Sequence, residues 1–233
     1  MPSKHSHSGG RSAAGLAGVL LIAGLVTGIF SVVPVIDAAD YLTRTSANEN
    51  QVLLGAVFQL GMVVAYVGIP IVMYPIFCKQ NKGLALGSVA FGIISGMFLI
   101  LGVLLLLLLL TVSHEFAIVG ALSGSSIPTV GELLRTGRDL VNHVATTLSF
   151  VAALFMLNCL LYQTKWVPRW LSASGLVGSA LSILASLLFM IRFIGLDATY
   201  MTLNLPIALQ QFVLAIWLIL KGFNRGKPDA ASI

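Results

Sequence analysis

The sequence predicts an all-α protein: a polytopic bundle of six transmembrane helices with both termini on the cytoplasmic side. Three observations predict it. Of 233 residues, 58% are hydrophobic and 9% are charged, against about 25% charged in a soluble domain. Six apolar stretches, residues 13–36, 52–77, 84–112, 140–162, 171–191 and 203–220, come close to or exceed the roughly 20 residues that cross a hydrocarbon core. The basic residues between them are shared unequally between alternate connections. Disorder is excluded, because disordered chains are poor in apolar residues and rich in charge. A membrane barrel would alternate in polarity over roughly ten-residue segments, whereas Leu104–Leu110 is an unbroken run of leucine.

The first span follows Lys4 and Arg11, as a secretory leader would. Its apolar run is longer than the about 7–15 residues of a leader's core and reaches Pro34-Val35-Ile36-Asp37 without a small-x-small site. It is therefore expected to be a retained anchor. Residues 1–12, with His5, His7 and Gly9-Gly10, and residues 224–233 are expected to be cytoplasmic tails, the first disordered. In the second span Pro70 and Pro75 are expected to kink the helix or end it early. Residues 84–112, at 1.5 Å each, make roughly 43 Å of helix, so the third span must tilt or project from a core of about 30 Å. Pro206 suits the first turn of the sixth span. No connection is long enough to hold a soluble domain.

Orientation follows from charge. With the N-terminus inside, Lys4, Arg11, Lys79, Lys82, Lys165, Arg169, Lys221, Arg225 and Lys227 are cytoplasmic, and Arg44, Arg135, Arg138 and Arg192 are outside. That is the bias the positive-inside rule requires. Trp166, Trp170 and Trp217, with Tyr74 and Tyr162, fall near the inner interface, as an aromatic belt does. Scattered single basic residues are no footprint for nucleic acid; the bilayer is the expected partner. Small residues four apart, Gly24/Gly28, Gly83/Gly87, Gly92/Gly96 and Ser174/Gly178, let helices approach closely. Packing within the bundle is their first use, and a homo-oligomer through the same faces is the alternative. The hairpin after Tyr74 and the one after Tyr162 echo each other weakly, as a parallel repeat would.

The fourth span carries the one dense polar feature. At 100° per residue from Glu132, residues Arg135, Asp139, Asn142, His143 and Thr146 share an arc of about 100°, with Arg138 some 40° outside it. Glu132/Arg135, Arg135/Asp139 and Asp139/His143 have ion-pair spacing. Charges facing lipid are costly, so the stripe should face the bundle interior or a cleft. It is either a self-paired network or an outward vestibule for a small polar ligand, ion or proton. Gln59 and Tyr66 of the second span, Asn158 of the fourth, and Gln210 and Gln211 of the sixth could join it. His114, beside Glu115, could in principle pair with His143 across a haem or metal, provided both imidazoles lie at one depth. No CxxCH, HExxH, GxSxG or P-loop pattern occurs, and no cofactor is expected. Cys78 and Cys159, near the inner ends of their helices, are expected to be free thiols.

The chain also resembles a bacterial family of integral membrane proteins, domain of unknown function 4386. The resemblance rests on Leu53-Leu54-Gly55-Ala56, Val67-Gly68-Ile69, Tyr74-Pro75, Gly83-Leu84-Ala85-Leu86-Gly87 with Phe91, and Arg138-Asp139. Val167–Ser172 with Gly175–Gly178, and Leu205–Gln210 through Trp217 and Lys221-Gly222-Phe223, complete it. It implies a bacterial inner-membrane protein and brings no assigned activity. Members tend to place Arg and Glu where Gly92 and Ser95 stand here, and Glu where Gln211 stands. Losing an Arg and its Glu together avoids stranding a buried charge, and leaves Arg138/Asp139 as the retained ionic part. The expected function is a non-catalytic structural, sensory or small-ligand-binding membrane component. The rival is a small transporter or channel subunit using the fourth-span stripe. Whether Gln59, Asp139, His143 and Gln211 share a cavity separates the two.

Overall fold

The computed structural model describes residues 5–120 and 126–224. Its long helices are α1 (His5–Phe30), α3 (Glu49–Phe77), α4 (Lys82–Val119), α6 (Thr147–Thr164), α7 (Arg169–Met190) and α8 (Ala198–Leu220). Shorter ones are α2 (Tyr41–Ala47) and α5 (Ile127–Leu140), the latter running through a wide π segment, Val141–Thr146, into α6. A 3-10 turn, Pro34–Asp37, follows α1. Six helices, the fourth being the α5–α6 unit Ile127–Thr164, are long and apolar enough to cross a membrane. Among the described residues there is no strand.

The spans pack in a closed ring in the order α1, α3, α4, α6, α7, α8 and back to α1, while α3 and α6 approach only slightly across it. Close approach is made by small residues. A Cβ on Gly178 would lie 2.9 Å from the Ile207 nitrogen of α8, and one on Gly18 would lie 2.8 Å from the Ala215 carbonyl. Gly24 and Gly28 meet α3, Gly92 and Gly96 meet α3 from the other side, and Gly87 meets Met156 of α6. These faces are occupied inside the bundle.

The ring is filled unevenly. Its terminal end, where α1 starts and α8 finishes, is a packed apolar core of Leu21, Met73, Phe77, Leu157, Leu171 and Leu214 among others. Phe77, Trp166 and Phe223 cluster there with centroids 5.2–5.9 Å apart, Phe77 stacked on Trp166 and edge-on to Phe223, and the Asn224 amide donates to the Trp166 carbonyl at 2.8 Å. At the distal end a smaller core joins Tyr41 and Leu42 to Leu106, Leu109 and Leu110. The Ser113 hydroxyl donates to the Leu42 carbonyl there and accepts from the Ser46 amide.

Several boundaries differ from the sequence-based expectation. Residues 5–12 are helical rather than disordered, since nothing after Pro2 breaks a helix that the apolar run already nucleates; residues 1–4 and 225–233 lie outside the described residues. Pro75 does not end α3, which continues to Phe77, and Pro70 is accommodated by Gly92 opposite it. α4 has 38 residues rather than 29, about 57 Å. Pro206 sits inside α8, not in its first turn. That helix starts at Ala198 because the Asp197 carboxylate accepts from the Thr199 and Tyr200 amides at 2.9 and 3.2 Å. Those hydrogen bonds hold the Asp197 carboxyl below its ordinary pKa. A depressed folded-state pKa means stability present above the unfolded value and lost as pH falls through the folded one. Asp197→Ala should therefore melt below wild type at neutral pH. The gap should close once the pH is acid enough to protonate Asp197, and a gap unchanged by pH would exclude the cap as its source.

Candidate functional site

Between the two cores lies a cavity of about 420 Å³. Its rim is at the distal end, with Val32, Asp37 and Met201, and its floor is the stacked pair Tyr66 and Phe150, centroids 3.5 Å apart. Six of the eight sequence-predicted residues line it: Gln59 from α3, Arg138 and Asp139 from α5, Asn142 and His143 from the π segment, and Gln211 from α8. Glu132 and Arg135 do not. They pair with each other at 3.0 Å, with Arg135 over the Tyr41 ring at 5.0 Å, nearer the distal surface.

Arg138, which a straight helix places off the polar arc, belongs to the cavity, and the π segment is the reason. The lining residues recur every four positions, as Arg138, Asn142, Thr146 and Phe150 and as Asp139, His143, Thr147 and Val151. On an unbroken α-helix such steps drift by about 120° over twelve residues. The wide turns of Val141–Thr146 take up part of that drift. Hydroxyls satisfy the backbone acceptors loosened there: Thr147 donates to the Asn142 carbonyl, Tyr200 to His143, Ser149 to Ala145 and Ser95 to Thr146, at 2.8–3.3 Å. Ser95 therefore serves the backbone and not the cavity.

On the wall, the Gln59 amide donates to the Asn142 side-chain oxygen at 2.9 Å and to the Leu99 carbonyl at 3.3 Å. Ser182 of α7 donates to the side chain of Asn204 on α8. The His143 ring meets Phe189 and Tyr200 edge-on at 6.0 and 5.4 Å. The Arg138 side chain is 10% exposed, and its nearest ionic partner is Asp139 at 3.7 Å, beyond hydrogen-bonding distance. Its Nε has no partner. Neighbouring residues on a helix do not face each other, which is why this pair stays loose.

His114 is elsewhere. Gly102 abuts Asn142, and His114 lies twelve residues further, about 18 Å along α4, where it contacts Glu49 at 3.6 Å. The two imidazoles cannot flank one haem. Among the described residues no three His, Cys, Asp or Glu side chains are grouped as for a metal. Cys78 and Cys159 are free. Asn158 and Gln210 are outside the cavity: Gln210 donates to the Asn158 oxygen at 3.1 Å in the packed half. Sequence reasoning missed the contribution of α1 (Gly24, Leu25 and Gly28) and of Ser31 just after it, which no polar pattern marks, and that of Ser182 and Asn204.

A family model matches residues 16–222, from the first span through the last: Domain of unknown function (DUF4386). The chain belongs to that family. No curated protein and no solved structure matches it. In this DUF4386 member the position of Gly92 is closed by packing, since a Cβ there would lie 2.6 Å from Pro70. Gln211 lies against the cavity near its floor.

Proposed function

We propose that this protein is a ligand-binding membrane component without catalytic chemistry, seated in a bacterial inner membrane with its termini cytoplasmic and its cavity facing outward. One observation carries the reading: polar side chains from four of the six spans, α3, the α5–α6 unit, α7 and α8, converge with an under-partnered Arg138 on one cavity. A purely structural network would have its charges paired. Small ligand sites of this kind are concave, mostly apolar and fitted with few polar groups, as here, where Leu25, Met62, Leu99 and Ile207 supply apolar wall. The orientation is supported by Arg11, Lys79, Lys82, Lys165, Arg169 and Lys221 at the terminal end against four arginines at the other. Non-catalytic use is supported by His143, whose ring touches aromatic edges rather than a nucleophile.

The test is a thermal-shift screen of the purified protein beside Gly28→Phe. A Cβ at Gly28 meets Met62 at an ordinary 3.7 Å, so the variant should fold with its ring in the cavity. A ligand at 100 times its Kd should add about 2.7 kcal/mol to wild type and nothing to Gly28→Phe. Equal stabilisation of both would place binding elsewhere. A transport role is the second reading, favoured by the π segment beside the site, since such turns recur at functional positions. It requires the Phe77–Trp166–Phe223 cluster to open. Trp166→Ala should then raise ligand uptake into proteoliposomes, and uptake equal to that of empty vesicles would reject it.

A further inference from the structure

Resting on that reading, we infer that the cavity takes a small zwitterion carrying an apolar group: an oxyanion held by Arg138 and an ammonium held by Asp139, as in an apolar α-amino acid. Arg138 brings five N–H donors into a site where no described acceptor lies within hydrogen-bonding distance of its guanidinium. A side chain buried to this degree and facing a cavity is suited to a carboxylate or phosphate oxyanion, which a planar fork can hold by two bonds. An oxyanion alone fits poorly, because two carboxylates, Asp139 and Asp37, also line the space. The lining thus carries one positive and two negative side chains, and a lone anion would be repelled by the excess. A lone cation would leave the guanidinium unanswered.

A zwitterion answers both. Arg138 and Asp139 are adjacent in sequence, 3.7 Å apart at their nearest atoms and both at the cavity surface. An oxyanion and an ammonium separated by one or two carbons reach them together. Asn142, Asn204 and Ser182 supply neutral donors and acceptors around them, and Met62, Phe150 and Ile207 receive an apolar substituent. The same chemistry is carried by free amino acids and by the phosphate–ammonium headgroup of an ethanolamine lipid.

The experiment uses the full chain in an uncharged detergent. It is titrated with leucine and phenylalanine, then with isopentylamine and phenethylamine, then with 4-methylpentanoate and 3-phenylpropanoate, following the melting temperature. A parallel arm compares nanodiscs of ethanolamine and glycerol phospholipids. Each missing charged partner should weaken binding about tenfold or more, so both sets of singly charged analogues should trail the zwitterions. If the source is the bilayer, ethanolamine lipid stabilises the protein over glycerol lipid and free amino acids compete with it. Asp139→Asn, isosteric and expected to fold, should lose that margin for leucine and bind 4-methylpentanoate more tightly than wild type, because one of the two repelling carboxylates is gone, with Asp139→Glu restoring both. Acid-only or amine-only analogues binding as tightly as zwitterions, and blocked by Gly28→Phe, would overturn the charge assignment while sparing the cavity. Binding of any of these probes that survives Gly28→Phe would overturn the underlying reading.

Discussion

Gly178→Leu should be among the most disruptive single substitutions in the bundle. The Cβ it adds lies 2.9 Å from the Ile207 nitrogen and 3.0 Å from its Cα. Backbone cannot rotate aside as a side chain can, so α7 and α8 must separate over the stretch where the Ser182–Asn204 bond joins them. Overpacking costs about 1–3 kcal/mol, occasionally more, and the upper end applies where the obstacle is main chain. The purified variant should melt far below wild type or elute as aggregate. Gly15→Leu is the matched control, because nothing lies within 4 Å of a Cβ built there. A Gly178→Leu protein as stable as Gly15→Leu would mean that α7 and α8 are not packed at this distance.

Gly102→Ala is expected to damage the cavity itself. Its methyl would overlap the Asn142 side-chain oxygen and approach the Gln59 amide to 2.7 Å, so both side-chain ends must shift and the hydrogen bond joining them is the contact put at risk. Leaving buried amides unpaired costs about 1–3 kcal/mol, whereas replacing both partners with apolar groups is nearly neutral. Gly102→Ala should therefore lower the melting temperature and weaken any cavity ligand, while the double variant Gln59→Leu with Asn142→Leu should keep its stability and lose only the ligand. If Gly102→Ala proves indifferent on both counts, the Gln59–Asn142 bond does not brace the wall.

The spans were readable because lipid demands long apolar runs, and all six recur as helices. Where a helix leaves the apolar regime that signal disappears. Residues 127–140 form α5 but carry Glu132, Arg135, Arg138 and Asp139, so the apolar run that marks the fourth span begins only at residue 140. α2 is hidden for the same reason, being too short and too polar to register. The polar stripe is legible as a periodicity, yet its phase holds only for a helix of 3.6 residues per turn. The π segment shifted that phase, bringing Arg138 into the cavity while Glu132 and Arg135 remained outside. No sequence rule places an i→i+5 turn; here it is fixed by hydroxyls from three other helices or turns, Ser95, Tyr200 and the following Thr147 and Ser149. The contribution of α1 was invisible because glycine lines a cavity by what it leaves empty.

The uneven filling of the ring has an electrical consequence. A cavity open at the distal rim lets mobile ions carry the potential of that bath down to the Tyr66–Phe150 stack. Nearly all of a membrane voltage then falls across the packed layer between that stack and Phe77. A charged group arriving at Arg138 crosses little of this field, so occupancy should be insensitive to polarisation of the cell. Passage beyond Phe150 would involve almost the entire drop, about 2.3 kcal/mol per charge for each 100 mV. The molecule thus concentrates the field in its driest layer and keeps its charged residues out of it.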